Sequence, residues 1–97
     1  MRFQVILTPS ADEDLKYYRT FEQRVIIDSI KVHLRTDANV ATKRRKRLAE
    51  HPVAPWELRV GNYRVFYQLE GEARVKVVAV GHKEHNDLFI RGKAVYL

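Results

Sequence analysis

The residues best suited to chemistry lie around a Gly-Asn turn in the second half of the chain. Arg59 and Arg64 flank Gly61-Asn62, and Glu57 stands just before them. If both arginines point to the solvent-facing side of a hairpin, their guanidinium groups form a fork for a phosphate or for phosphorane charge. If they do not, one of them is a surface partner of Glu57 or Glu70, and such a pair contributes little. The sequence leaves both arrangements open, because the turn type decides the faces.

Five consecutive cations are the strongest feature of the composition, and we call them the basic run: Lys43, Arg44, Arg45, Lys46 and Arg47. On a helix or a loop, such a run neutralises several phosphates and gives a salt-dependent affinity that does not depend on base sequence. The alternative is a solvated helix end whose cations complement the helix dipole. Five cations exceed what capping needs, so we interpret the basic run as a nucleic-acid-binding segment.

Two histidines stand close together in the segment His82-Lys83-Glu84-His85. Histidines three apart can share a metal ion on one helical turn, but no third ligand accompanies them and Lys83 is an unfavourable neighbour. We therefore expect neither a metal site nor a cofactor. Because imidazole titrates near neutral pH, both histidines are candidates for acid–base chemistry.

The charge of the chain is unevenly distributed. Eighteen Lys and Arg against twelve Asp and Glu give a net charge of +6 over 97 residues, and residues 41–97 hold all of the excess. Such a field suits a polyanion or an acidic protein partner, and a charge that only keeps the protein soluble explains it equally well.

Length and composition exclude several classes of protein. The length predicts one domain, residues 1–97. The absence of cysteine excludes disulfides, cysteine-ligated zinc, iron–sulfur clusters and a thiol nucleophile. Apolar runs are short and no secretory segment opens the chain, so we expect a cytoplasmic protein without a membrane partner.

The elements that must position these residues fall into two blocks. Residues 2–8 predict a strand, Thr8-Pro9 predicts a helix start, and residues 21–34 predict a second helix with an apolar stripe.

The second block predicts an antiparallel meander from residues 56–60, 63–69 and 73–80. Residues 88–90 and 94–97 can form a short hairpin. Separate blocks of helices and strands indicate an α+β fold, with a sheet of four to five strands against an N-terminal helical hairpin.

The segment from Trp56 to Tyr67, WELRVGNYRVFY, resembles the central hairpin of the RelE/ParE superfamily of toxins from type II toxin–antitoxin systems. The resemblance extends to Thr8-Pro9-Ser10-Ala11 with Asp14-Leu15, and to Val80-Gly81-His82-Lys83. It covers the chain up to about Phe89. It implies a curled antiparallel sheet with a helical hairpin on one face, in agreement with the pattern of elements.

The resemblance also implies a choice of activity. RelE-like members cleave messenger RNA on the ribosome, ParE-like members poison DNA gyrase, and an antitoxin protein silences both. Its arginine positions fall on Arg59 and Arg64, and its basic position after the third strand falls on Lys83. RNA cleavage without a metal needs a base for the 2′-hydroxyl, cations for the phosphorane and a proton donor for the leaving oxygen.

Three positions depart from the RelE pattern. Pro55 and Glu57 stand where RelE has lysines, and Phe89 stands where it has a tyrosine. Relatives use Glu and His instead, so Glu57, His82 or His85 are the candidates for base and acid. We predict a ribosome-dependent endoribonuclease; the alternatives are a gyrase inhibitor and a non-catalytic basic module that binds RNA or a partner.

Overall fold

The computed structural model describes residues 1–96, in which two helices pack against a seven-stranded sheet. In chain order the elements are β1 (Gln4–Leu7), α1 (Pro9–Lys16), α2 (Thr20–Leu34), β2 (Arg45–Arg47), β3 (Trp56–Val60), β4 (Tyr63–Glu70), β5 (Arg74–Glu84), β6 (Asp87–Ile90) and β7 (Lys93–Val95). Neither helix in this part of the chain is long and apolar enough to cross a bilayer.

The two helices begin and pack as their sequence pattern predicts. The Oγ1 atom of Thr8 accepts the backbone N–H of Ala11 at 3.0 Å, and Pro9 occupies the first helical position. In α2, Ile26, Ile30 and Leu34 are buried against the sheet. This spacing of three and four residues keeps one side of the helix apolar, so α2 covers one face of the sheet.

Strand β5 is the centre of the sheet. Strand β4 runs along one edge of it, while β1 and β6 lie end to end along the other edge, β1 parallel on residues 74–77 and β6 antiparallel on residues 82–84. The α+β class and the helical hairpin against an antiparallel sheet are confirmed. The strands number seven rather than four or five because the basic run supplies β2 and the C-terminal segment forms the hairpin β6–β7. Leu97, which the predicted last strand included, lies outside the described residues.

A β-bulge interrupts the pairing of β4 with β5. Phe66 pairs with Ala79, whereas the next residue of β4 pairs with Val77, so Val78 is an extra residue in β5. Val77 and Val80 are both fully buried in the core beneath the helices. The bulge therefore exchanges the two faces of β5 for all residues that follow it.

A buried carboxylate bridges the gap between β1 and β6. Strand β1 ends opposite Val77, and the pairing of β6 with β5 extends only from Glu84 back to His82, so neither strand pairs with Val80. Asp14 of α1 accepts the backbone N–H of Val80 at 3.1 Å and the Nε–H of Arg91 at 2.5 Å. Because Arg91 lies in the β6–β7 turn, this clasp of Asp14 and Arg91 ties the C-terminal hairpin to α1.

Candidate functional site

Arg59 and Arg64 lie on the same face of the β3–β4 hairpin. They are cross-strand register partners, and Glu57, two residues before Arg59, shares their face. Gly61, with φ of 57°, occupies the first position of the two-residue turn, where a type II′ turn requires glycine. Of the two arrangements that the sequence left open, the structure has the one in which both arginines point the same way. We call Glu57, Arg59 and Arg64 the arginine cluster.

The centre of the arginine cluster is the buried carboxylate of Glu57, whose side chain is 6% exposed. Its Oε1 lies 2.8 Å from Arg64 Nε and 3.6 Å from Arg59 Nε. These are ion pairs without hydrogen-bond alignment, since all three buried atoms lack a hydrogen-bond partner. Buried polar atoms in this condition are rare, and a functional site is one of the recognised reasons for them. The carboxylate of Glu57 is thus held between two guanidinium groups.

The two arginines differ in how firmly they are held. One terminal nitrogen of Arg64 donates to the carbonyls of Gly61 and Tyr63, each at 2.8 Å, and the side chain is 13% exposed. Burial lowers the pKa of Arg64 and the carboxylate of Glu57 opposes that shift, so the guanidinium remains charged at neutral pH. Arg59 is 41% exposed. Arg64 is thus a fixed charge, and Arg59 is a charge that solvent and ligands reach.

The basic run was predicted to lie on a helix or a loop; Lys43 and Arg44 do lie in a loop, but residues 45–47 form strand β2. Lys46 pairs with Glu57, and the carbonyl of Arg44 accepts the N–H of Arg59 at 2.8 Å. Side chains alternate along a strand, so Arg44 and Lys46 lie on the face of the arginine cluster. An edge strand rich in cations also resists pairing with other chains.

The other two strand cations face the helices and have structural partners. Arg45 donates to the carbonyl of Val40 at 2.8 Å and to that of His33, at the end of α2, at 3.0 Å. The guanidinium carbon of Arg47 lies 5.8 Å from the ring centre of Trp56. Lys43 precedes the strand and is exposed. The five cations therefore do not act as one unit.

The bulge at Val78 decides which residue of β5 joins the arginine cluster. Without it, the alternation from Val75 and Val77 would place His82 beside Arg64 and Lys83 beneath the helices. With it, the two residues exchange faces, and Lys83, whose N–H donates to the carbonyl of Asn62 at 2.8 Å, lies at the end of β5 on the cluster's face.

His82 and His85 do not meet Glu57 in this structure. The Nδ1 atom of His82 lies 2.6 Å from the hydroxyl of Tyr18, on the side of the helices. His85 is exposed at the tip of the β5–β6 turn, with φ of 50°. Across residues 1–96, no group of three His, Asp or Glu side chains is placed to hold a metal ion.

Sequence reasoning missed Tyr18 as a partner of a candidate site residue. Its contact with His82 joins residues 64 positions apart, and no local pattern signals such a contact. Sequence reasoning also did not separate Arg44 and Lys46 from Arg45 and Arg47. The period of two within the basic run would have separated them, had the run been predicted as a strand.

Comparisons with known proteins agree on one class of protein. Residues 5–87 match the family model described as the ParE toxin of the type II toxin–antitoxin system, parDE. Among solved structures, the chain is similar to one in the RelBE2 toxin–antitoxin complex from Mycobacterium tuberculosis, with a TM-score of 0.69 and 19% identity. That likeness covers 86% of this chain and 100% of the other, and it shows a shared fold. No curated protein matches the sequence.

Proposed function

Since this chain belongs to the ParE family of toxins from type II toxin–antitoxin systems, we propose that it is a toxin that cleaves messenger RNA on the ribosome. The observation that carries this proposal is the arginine cluster. Three buried polar atoms of Glu57, Arg59 and Arg64 have no hydrogen-bond partner and lie on a cationic face. A phosphodiester is an anion that the accessible guanidinium of Arg59 can bind through charge-assisted hydrogen bonds.

The proposed chemistry assigns one role to each group. Glu57 takes the proton of the 2′-hydroxyl, and the 2′-oxygen then attacks the adjacent phosphorus. Arg59 and Arg64 stabilise the charge of the phosphorane. Lys83 gives a proton to the 5′-oxygen as its bond to phosphorus breaks. The products are a 2′,3′-cyclic phosphate and a 5′-hydroxyl end.

Arg44 and Lys46 extend the cationic face away from the arginine cluster. Lys46 lies on β2 beside Glu57, Arg44 lies just before β2 beside Arg59, and both side chains are exposed. Exposed cations in a row bind the RNA backbone without reading its sequence, so they hold the strand while the cluster acts.

The proposed partner that silences the toxin is an antitoxin protein. The similar solved chain belongs to a toxin–antitoxin complex, and a basic face on a small domain suits an acidic segment that becomes ordered on binding. We expect this segment to cover Arg59, Arg64 and Lys83, which would block the RNA face directly.

Inhibition of DNA gyrase is the second candidate function. It is favoured by the separation of His82 and His85 from Glu57, which leaves the cluster without a histidine for acid–base chemistry. A gyrase inhibitor needs only a binding surface, and the same cationic face would provide it.

Mapping of messenger RNA ends after induced expression tests the proposed function. The intact chain should produce cuts within translated frames, and Glu57→Gln, which cannot take the proton, should abolish them. Glu72→Gln, at an exposed carboxylate in the β4–β5 turn, is the matched control and should leave the cuts unchanged. Intact messages together with gyrase-trapped DNA breaks in a parallel supercoiling assay would overturn the proposal in favour of gyrase.

Cations of the basic run lie on both faces of the sheet, so we expect substitutions on the two faces to affect RNA binding and stability differently. Arg44→Gln combined with Lys46→Gln should lower the slope of log affinity for single-stranded RNA against log salt by about 1.4, because each phosphate contact contributes about 0.7. Since both side chains are exposed, the melting temperature should stay nearly constant.

The matched pair is Arg45→Gln combined with Arg47→Gln. It removes the same charge, so any effect of net charge alone is equal. It should keep most of the salt slope but lower the free energy of unfolding by about 1–3 kcal/mol, because the backbone acceptors of Arg45 lose a charged donor. Equal losses of slope in both pairs would contradict the separation of the two faces.

A further inference from the structure

A groove lined by tyrosines lies at the end of the sheet, on the side of the helices. It has a volume of about 390 Å³, and its walls include Tyr17, Tyr18 and Tyr63. The ring of Tyr18 stands edge-on to both of the others, with centroids 5.2 Å and 5.4 Å away. We call this cavity the tyrosine groove. It is separate from the arginine cluster, which occupies the opposite face of the sheet.

The walls of the tyrosine groove are fixed by contacts from three elements. Tyr18 binds His82 of β5 through its hydroxyl, and the ring of His82 stacks on Phe89 of β6 at 5.6 Å. The hydroxyl of Tyr17 lies against Gly92 of the β6–β7 turn, where an added Cβ atom would come within 2.8 Å of it. The groove is therefore already formed in the free chain, which lowers the entropy cost of binding.

Two glutamates, Glu22 and Glu84, lie beside the rings of the tyrosine groove. Burial raises the pKa of Tyr18, so its phenol stays protonated and can donate to Nδ1 of His82. The Nε2 atom of His82 lies 3.4 Å from Oε1 of Glu84. Burial, followed by the carboxylate of Glu22, raises the pKa of Tyr63. Two carboxylates thus lie beside three aromatic rings.

The charge of the tyrosine groove is opposite to that of the rest of the protein. Glu22 and Glu84 line it, and the one lysine in its lining, Lys83, alternates with His82 along β5. Alternation directs the Lys83 side chain to the other face. A chain with a net charge of +6 therefore carries a local anionic, aromatic cavity, which repels phosphates and attracts cations.

We propose that the tyrosine groove binds an arginine side chain presented by a partner protein. A guanidinium group is planar, stacks on aromatic rings and donates to carboxylates in a fork, so it matches this lining better than an ammonium group does. A nucleotide is a poor match, because its phosphate would meet both carboxylates. The proposal goes beyond RNA cleavage, because it concerns a separate surface and a protein ligand.

A nuclear magnetic resonance titration of the isotope-labelled full chain tests this proposal. The probes are N-acetyl-arginine amide, N-acetyl-lysine amide, uridine monophosphate, and N-acetyl-citrulline amide, which has the shape of the arginine probe without its charge. The arginine probe should shift the signals of Tyr18, Tyr63 and His82 saturably, with a millimolar dissociation constant. The citrulline probe should bind at least about fivefold more weakly than the arginine probe. Equal binding of the two, or tighter binding of the lysine or uridine probe, would overturn the proposal.

Two variants locate the binding. Glu84→Gln and Glu22→Gln should each weaken the arginine probe about two- to fivefold, because each removes one exposed or half-exposed charge. Glu70→Gln, at the far end of the β4–β5 pair, is the matched control and should leave the affinity unchanged. Unaltered binding in both groove variants would also overturn the proposal. Since no RNA is present, the outcome does not depend on the nuclease activity.

Discussion

Replacing Arg64 with alanine is expected to lower the rate of RNA cleavage on programmed ribosomes by about 10²–10³, the usual effect of removing one donor to transition-state charge. Arg64 is fixed by two backbone carbonyls and by Glu57, so its charge needs no reorganisation when the phosphorane forms. Ribosome affinity should fall much less than the rate, since the charge acts mainly in the transition state. Single-turnover cleavage and a separate binding assay measure the two quantities.

Two variants make the Arg64 result interpretable. Arg64→Lys keeps the charge without the planar fork, so it should retain part of the rate while melting at nearly the same temperature as the alanine variant. Arg74→Ala removes an exposed arginine at the other end of β5 and should cleave normally. An equal loss of affinity and rate in Arg64→Ala would show that this arginine only binds the target.

Replacing Asp14 with alanine is expected to cause the largest loss of stability, about 3 kcal/mol in the free energy of unfolding. Asp14 is 2% exposed and accepts hydrogen bonds from both Val80 and Arg91. Its removal leaves a backbone N–H without an acceptor and a guanidinium without its counter-charge. Because the half-exposed Arg91 can turn toward water, the expected loss of unfolding free energy lies at the low end of the range for a broken buried ion pair. Urea unfolding followed by circular dichroism measures it.

Asp12→Ala is the matched control for the clasp, because it removes the same side chain two residues earlier in α1. Asp12 pairs on the surface with Lys16 at 3.0 Å, so its loss should cost less than about 1 kcal/mol. If Asp14→Ala and Asp12→Ala lost similar amounts, the clasp would not contribute to stability beyond an ordinary surface pair.

Local signals in the sequence were sufficient for most of the fold. Thr8-Pro9 starts α1 through a side-chain cap, and Gly61-Asn62 forms a two-residue turn because glycine tolerates the φ required there. Both signals act within four residues of chain, so they can be recognised without knowledge of distant contacts. Strand β2 escaped prediction because its residues are all cations, and it forms by pairing with β3, about ten residues away.

The candidate site was harder to predict because it depends on register. The hairpin brings Glu57, Arg59 and Arg64 together through short-range pairing, which the sequence anticipated as one of two arrangements. The place of His82 depends on a single extra residue, Val78, in the middle of β5. A one-residue shift exchanges the two faces of a strand, and nothing in an apolar run of four residues marks where the extra residue lies.

The position of β1 and β6 on opposite ends of β5 has a consequence for synthesis. Strand β1 is made first, but its partner on residues 74–77 is made only after three quarters of the chain. The core beneath the helices takes residues from Phe3 to Val80, and α1 packs mainly on β5, so this core stays incomplete until β5 appears. The complete core therefore cannot form before β5 has been synthesised. For a toxin that acts on ribosomes, as proposed above, no active copy can form before β5 has been synthesised.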